Sequence, residues 1–147
     1  MKITIVDIGP GEEEEIIVRC REISDELLSC LKSVRQGGAP RRLKLYKDNA
    51  LFLVDAAEIY YFESVDERVF AYTKSEVYEV RSRLYELEAL LPETQFFRAG
   101  KSSIVNLEKI KSVTPVFNGR LEALLKNGER VVISRQYVAV LKEKLGL

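Results

Sequence analysis

The sequence predicts a mainly β protein with helices, preceded by a small N-terminal β-β-α unit. Between residues 41 and 80, β-branched and aromatic runs alternate with turn residues every eight to ten positions, which is typical of short strands. Asn118-Gly119 and Asn127-Gly128 are both two-residue signals for type I′ hairpins. In three other stretches the apolar residues step by three and four, as on one face of a helix.

Composition limits what this chain is expected to be. Its 147 residues suffice for one domain, or for a domain with a small appendage. No apolar run approaches the ~20 residues of a membrane span, and the first residues lack the pattern of a signal peptide. The two cysteines, Cys20 and Cys30, have no metal-ligand spacing. We therefore expect a reduced, cytoplasmic protein.

The chain contains no histidine. It thus lacks the commonest general base and the commonest metal ligand, so we expect neither an enzyme nor a bound cofactor or metal. The acidic run at residues 12–15 leaves one alternative open, the binding of a divalent cation. A contiguous run lacks the spread of ligands that a defined site needs, and metal-dependent thermal stabilisation would be required to revive that interpretation.

Charge is unevenly distributed although the formal net charge is zero. Residues 1–40 hold 5 Lys/Arg against 8 Asp/Glu, and residues 41–92 hold 8 against 10. Residues 93–147 hold 10 against 5, a net charge of +5. This positively charged C-terminal segment suits contact with phosphates. The alternative explanation is that the charges are unevenly distributed by chance.

The first forty residues are predicted to form the β-β-α unit. Residues 2–8 and 16–18 have strand patterns, separated by a Gly-Pro-Gly turn and the acidic run. Ser24 is a good helix N-cap, followed by an apolar helical face that extends to Val34. Residues 37–40 form a linker, and the unit before them is too small to be stable alone.

The following residues predict strands, with a helix after the fifth strand and another at the end. The apolar residues from Val77 step from a strand into an amphipathic helix that ends at Pro92, and Ser134 caps the last helix. The expected strands lie within residues 43–45, 51–54, 59–62, 69–72, 77–80, 104–105, 110–113, 121–125 and 131–133.

Several short stretches together resemble one known family. They are Ile-Tyr-Tyr-Phe-Glu-Ser at residues 59–64, the Phe-Arg…Lys-Ser…Val-Asn pattern at residues 97–106, Asn127-Gly128, and Ser-Arg…Tyr at residues 134–137. In this order and spacing, residues 41–147 resemble the LytTR DNA-binding domain of bacterial transcription regulators. The resemblance implies an elongated stack of antiparallel β-sheets. Its loops are expected to enter successive major grooves of DNA and to touch the minor groove between them.

The resemblance also implies which residues contact DNA. They are expected on the loop before the fourth strand, in the turn before the strand at residue 104, at the start of the last helix and on the final hairpin. In that order they are Arg68, Lys101, Ser102, Arg135, Gln136 and Lys126, the last expected near Arg135. Many members of the family carry histidine at the position of Gly100, and some carry histidine at the position of Glu67. The base preference of those members therefore does not carry over to this chain.

The chemistry of these residues agrees with DNA contact. Arginine is suited to bidentate contact with guanine, and a helix that begins at Arg135 offers N–H groups to a phosphate. The side chains of Lys101 and Ser102 in this turn can donate hydrogen bonds to the phosphate backbone of DNA. Other interpretations stay open. Arg68 could pair with a neighbouring carboxylate, while Lys126 and the Lys101 turn could simply be solvated.

The leading hypothesis is therefore a sequence-specific, double-stranded DNA-binding transcription regulator that acts as a homodimer on paired direct repeats. Residues 1–40 are too short for a phosphorylatable receiver domain, so we expect this unit to dimerise or to bind a regulatory partner. The family resemblance suggests a membrane protein as that partner. The alternative is an interaction module of the same fold that has lost DNA binding, which Gly100 and the zero net charge would favour.

Overall fold

The computed structural model describes Lys2, residues 4–35 and residues 42–147. The described residues contain three α-helices: α1 (Asp25–Arg35), α2 (Leu84–Leu90) and α3 (Arg135–Lys144). They also contain ten strands: β1 (Arg42–Lys47), β2 (Ala50–Asp55), β3 (Tyr61–Val65), β4 (Arg68–Tyr72), β5 (Val77–Val80), β6 (Phe96–Gly100), β7 (Ser103–Asn106), β8 (Ile110–Val116), β9 (Arg120–Leu125) and β10 (Arg130–Ile133).

The strands form two antiparallel sheets. The first sheet has seven strands in the order β2-β1-β5-β4-β3-β7-β6, and the second has three in the order β10-β9-β8. This confirms the predicted stack of antiparallel sheets, including the helix α2 that follows β5. The strand β6 was not among the predicted strands. None of the described helices is long and apolar enough to cross a membrane.

The N-terminal segment differs from its prediction. The helix α1 is confirmed, and the hydroxyl oxygen of Ser24 accepts a 3.1 Å hydrogen bond from the N–H of Leu27, as a cap should. The described residues before it contain no strand, so the strands predicted over residues 2–8 and 16–18 are wrong there. An alternating pattern does not supply a partner for the backbone hydrogen bonds of a strand. The predicted linker at residues 37–40 lies outside the described residues.

The strands β3, β6 and β7 of the first sheet are covered on both faces, which creates two hydrophobic cores. Alternate residues of one strand point to opposite faces, so Phe62 and Ile104 enter the core beneath α2. Their neighbours Tyr61 and Val105 enter a second core shared with the second sheet and α3. Because both faces are buried, these strands appear in the sequence as continuous apolar runs rather than as alternating ones.

One buried polar residue joins the two cores. Asn106 is fully buried, its side-chain amide donates a 2.8 Å hydrogen bond to the Ile59 carbonyl, and its side-chain oxygen accepts one of 3.0 Å from the N–H of Glu108. These bonds satisfy backbone groups where β7 ends and the chain crosses to the second sheet. They give this residue a structural role in the fold.

Candidate nucleic-acid interface

Three chain segments from different elements meet at one end of the molecule. They are the β6–β7 turn at Lys101 and Ser102, the β8–β9 turn at Asn118 and Gly119, and the start of α3. The backbone N–H of Ser134 donates a 2.8 Å hydrogen bond to the Ala99 carbonyl, which attaches α3 to β6. Pairing of Ile133 with Leu121 then brings the start of α3 beside the first residue of β9.

Two adjoining concavities lie between these segments, with volumes of about 320 and 430 Å³. We call the polar residues around them the basic face, which comprises Lys101, Ser102, Asn118, Arg120, Arg135 and Gln136. Among the described residues that line the two concavities, none is an aspartate or a glutamate. The three cations of the basic face form no salt bridge within the described part of the chain. Their charges are therefore available to a polyanion.

The side chain of Arg98 holds the Lys101 turn in place. Its guanidinium donates hydrogen bonds of 2.7 Å to the Gly100 carbonyl and 2.8 Å to the Lys101 carbonyl. A further 2.8 Å bond joins it to the carboxylate of Glu88 on α2, and the Arg98 side chain is only 17% exposed. The turn that carries Lys101 is thus held by charged hydrogen bonds that connect it, through Arg98, to Glu88 on α2.

Gly100 permits close contact between this turn and α3. A Cβ built on Gly100 would lie 2.9 Å from the hydroxyl oxygen of Ser134, so a larger residue would require that side chain to move. Ser134 occupies the predicted N-cap position, but its hydroxyl makes no cap hydrogen bond to the helix. Gly100 thus allows the Lys101 turn to pack directly against Ser134 at the start of α3.

The β8–β9 turn supports Arg135 directly. Asn118 and Gly119 have φ angles of 61° and 71°, and the N–H of Arg120 bonds to the Phe117 carbonyl, as in the predicted type I′ turn. A Cβ built on Gly119 would lie 3.1 Å from Cδ of Arg135. The aliphatic part of Arg135 thus rests on the bare backbone of the turn, while the residue as a whole stays exposed.

Arg68 lies at the same end of the first sheet but outside the two concavities. It is the first residue of β4, exposed, and paired with Val65 across the β3–β4 hairpin. The N–H of Ser64 in that hairpin donates a 2.8 Å bond to the Ser102 carbonyl. The three turns therefore follow one another along the sheet end: the β3–β4 hairpin, the Lys101 turn, then α3 with the β8–β9 turn.

Lys126 does not join the others. It is exposed in the β9–β10 turn, and its backbone N–H donates to the carbonyl of Lys109 at the start of β8. The strand β9 runs from Arg120 to Leu125, which separates Lys126 from the basic face by about 17 Å, at about 3.4 Å per residue. The prediction that Lys126 lies near Arg135 is wrong, because the hairpin turn and the residue after β10 are at opposite ends of the strand pair.

The structure also adds to the site two residues that were not predicted as DNA contacts, Asn118 and Arg120. Arg120 is exposed and borders both concavities. The sequence did contain a signal for Arg120, because this arginine directly follows the predicted Asn-Gly turn and therefore begins the strand after it. What the sequence lacked was the position of that turn beneath α3.

An aromatic cluster lies at the other end of the second core. The rings of Tyr61 and Tyr72 stack with centroids 4.3 Å apart, and the Tyr61 hydroxyl donates a 3.3 Å hydrogen bond to Glu129. Burial first, and the Glu129 carboxylate next, raise the pKa of Tyr61. Burial and nearby carboxylates also raise the pKa of Tyr72.

Unpaired cations on successive turns of an antiparallel β fold are suited to contact with phosphates, and the class of protein to which this arrangement points is the β-sheet DNA-binding domains. The comparisons with known proteins identify the family within this class. The LytTr DNA-binding domain family matches residues 49–146. The chain belongs to this family, and it is a DNA-binding protein of transcription regulation. That family is not a class of enzymes.

Individual relatives agree with this assignment. The sensory transduction protein LytT of Enterococcus faecalis is 34% identical over 143 residues, which are 95% of this chain, and the chain spans 59% of that relative's length. An uncharacterised HTH-type transcriptional regulator of Staphylococcus aureus is 27% identical over 147 residues, 100% of this chain and 99% of its own length.

A solved structure shares the fold. The LytTr DNA-binding domain of a putative methyl-accepting/DNA response regulator from Bacillus cereus matches with a TM-score of 0.70 and 27% identity. The match covers 74% of this chain and 99% of that structure. Strands separate the successive helices of the described residues, so this chain does not present the paired helices of a helix-turn-helix domain.

Proposed function

We propose that the protein binds specific double-stranded DNA sequences through the basic face and Arg68. The observation that carries this proposal is the convergence of Lys101, Arg120 and Arg135 from three separate elements onto one surface without carboxylates. A structural role for these arginines would place them in salt bridges, as it does Arg98. Exposed cations without partners are suited instead to the phosphates and guanines of DNA.

The order of the turns suggests how the duplex lies. The Lys101 turn is located between the β3–β4 hairpin and the start of α3 along the sheet end. Neighbouring strands are about 4.8 Å apart, so the outer two positions are separated by roughly 20 Å. Successive major grooves on one face of a straight duplex are about 34 Å apart, so the duplex would have to bend toward the protein for both outer positions to enter them. In this proposal Arg68 and Arg135 enter successive major grooves, and the Lys101 turn faces the minor groove between them.

Each residue then has a distinct task. Arg135, exposed at the start of α3 and resting on Gly119, is the proposed reader of guanine. Gln136 is beside it at the helix start, where backbone N–H groups also face outward. Lys101, Ser102 and Arg120 are proposed to hold phosphates and so to set the register of the protein on the duplex. Lys126 is left out of this contact set because of its distance.

We also propose that two copies act together on paired direct repeats through residues 1–40. The described part of this segment exposes large apolar side chains that a lone chain would leave in water, among them Ile5 at 88%, Ile16 at 68% and Ile17 at 69%. A second copy would cover them and give the backbone of the segment its strand partners. Light scattering at micromolar concentration would show a dimer mass, whereas a monomer mass would refute this part.

The test of DNA binding is a selection of operators from random duplexes, followed by a salt titration of the selected sequence. Specific binding that weakens steeply with salt, and that Arg135→Ala reduces strongly, would support the proposal. Arg130→Ala is the matched control, because it removes an exposed arginine from the opposite end of β10. If the folded protein enriches no sequence, the alternative of an interaction module becomes the better one.

A further inference from the structure

One exposed aromatic residue beside the basic face has no structural explanation. Phe117 precedes the Asn118-Gly119 turn and is 88% exposed. Three other phenylalanines, Phe62, Phe96 and Phe97, are at most 5% exposed. A phenyl ring exposed to this extent gives the fold little burial energy, so nothing in the described part of the chain accounts for this residue type at this position.

The position of Phe117 is nevertheless well defined. Its carbonyl accepts the turn hydrogen bond from the N–H of Arg120, and the turn itself lies against Arg135 through Gly119. The ring is therefore carried on a short, fixed turn whose other members line the second concavity together with Arg135. A molecule that contacts Arg120 and Arg135 lies beside this ring.

We propose that Phe117 is a base-contacting residue that reads the methyl group of a thymine in the major groove. This inference rests on the proposed function, because it requires DNA on the basic face. The neighbouring arginines attract phosphates and guanines, but a phenyl ring can donate no hydrogen bond to either. The thymine C5-methyl is the apolar group that base edges present in the major groove, and phenylalanine is one of the side chains that contact it.

The location of the turn favours this groove. The backbone at Gly119 lies close to the side chain of Arg135, which is the proposed major-groove reader, so in this proposal the ring enters the same groove as Arg135. Exclusion of water between the ring and the methyl group stabilises the complex without any charge. Its contribution is therefore independent of salt, unlike that of the cations.

The experiment uses the full chain and the operator selected by the wild-type protein. Each thymine in the half-site is replaced by deoxyuridine, which removes only the methyl group, and binding is measured for wild type, Phe117→Ala and Phe117→Leu. The wild type should lose about fourfold in affinity at one replaced thymine, the loss expected for one buried methyl. Phe117→Ala should bind the unmodified operator about fourfold or more weakly and show no further loss at that thymine. Phe117→Leu should keep most of the affinity and of the sensitivity to the methyl.

The control variant is Leu53→Ala, which removes a side chain that is 60% exposed on β2, at the opposite edge of the first sheet. It should leave both affinities unchanged. Equal sensitivity of wild type and Phe117→Ala to every replacement would overturn the inference while leaving DNA binding by the basic face intact. A fall in oligomeric mass for Phe117→Ala would overturn it too, by making Phe117 a protein contact. Failure of the wild type to select any operator would overturn this inference together with the proposed function.

Discussion

The two ends of the second sheet carry almost the same sequence signal and have different structures. Each has an Asn-Gly turn that is followed within two residues by an arginine that begins a strand. At Asn118-Gly119 both residues have positive φ, and the turn lies beneath Arg135. At Asn127-Gly128 only the glycine has positive φ, at 90°, and a Cβ on it would meet nothing within 4 Å. The second turn is therefore not the type I′ turn that was predicted.

The charges at the two ends differ in the same way. Arg130 forms a 2.7 Å salt bridge with Glu122, and Glu129 accepts a hydrogen bond from Tyr61. At the other end, Arg120 and Arg135 have no carboxylate partner within the described residues. The comparison shows that the availability of a cation for DNA depends on the elements packed around a turn. The turn sequence alone does not determine it.

The largest expected difference is between the two arginines. Arg135→Ala should weaken binding to the selected operator by about 1–3 kcal/mol, because it removes a base contact. Arg130→Ala should change the affinity by less than about twofold, since Arg130 already pairs with Glu122. Fluorescence anisotropy at one fixed salt concentration measures both. Equal losses would mean that binding follows total charge rather than the basic face.

The two glycines sharpen the comparison. Gly119→Ala and Gly128→Ala both place a Cβ at positive φ, so each should lower the free energy of unfolding by about 1 kcal/mol. Only Gly119→Ala also presses on the side chain of Arg135, and we expect a severalfold loss of DNA affinity in that variant alone. Denaturant unfolding and anisotropy on the same samples separate the two effects. A similar affinity loss in Gly128→Ala would contradict this assignment.

The two lysines test the outline of the basic face. Lys101→Ala should reduce the slope of log K against log salt by about one, because one phosphate contact is lost. Lys126→Ala should leave that slope unchanged, since Lys126 is located at the far end of β9. Titrations between low and moderate salt give both slopes. A reduced slope for Lys126→Ala would mean that DNA contacts the β9–β10 end of the second sheet, which would contradict the assignment of DNA binding to the basic face.

The smallest expected effect is on stability at alkaline pH. It concerns Tyr61, whose hydroxyl bonds to Glu129 at the end of the second sheet opposite the basic face. Burial raises the pKa of Tyr61 in the folded protein, whereas an unfolded tyrosine ionises near pH 10. Below about pH 10 the contribution of Tyr61 to stability is fully present. It is lost as the pH rises further, because the unfolded chain releases its proton first. The free energy of unfolding should fall more gently above pH 10 for Tyr61→Phe than for wild type, and identical slopes would refute this.

Much of the fold could be predicted from residues 42–147. The runs Val69–Tyr72 and Val77–Val80 contain the β-branched and aromatic residues that favour strands. Both are strands in the structure, as expected. The strands expected within residues 2–8 and 16–18 had a similar pattern. They are absent from the described residues, because a strand also needs a partner and the sequence does not say where one is located.

The candidate site was predictable where it depended on local sequence. Lys101 and Ser102 are in the turn that was expected before the strand at residue 104, and Arg135 begins α3 as expected. Arg120 was missed and Lys126 misplaced because both depend on which end of the second sheet packs against α3. The antiparallel pairing of β9 with β10 would have excluded Lys126, since a hairpin turn and the residue after its second strand lie at opposite ends.

The most direct test of the basic face is a map of backbone amide chemical shifts by NMR, with and without the selected operator duplex. The account predicts that the largest changes cluster at residues 101–103, 117–120 and 134–136, with smaller ones near Arg68. Amides at residues 126–130 should remain nearly unchanged, although they belong to the same sheet. Changes concentrated at residues 126–130, or confined to the N-terminal segment, would contradict the assignment of DNA binding to the basic face.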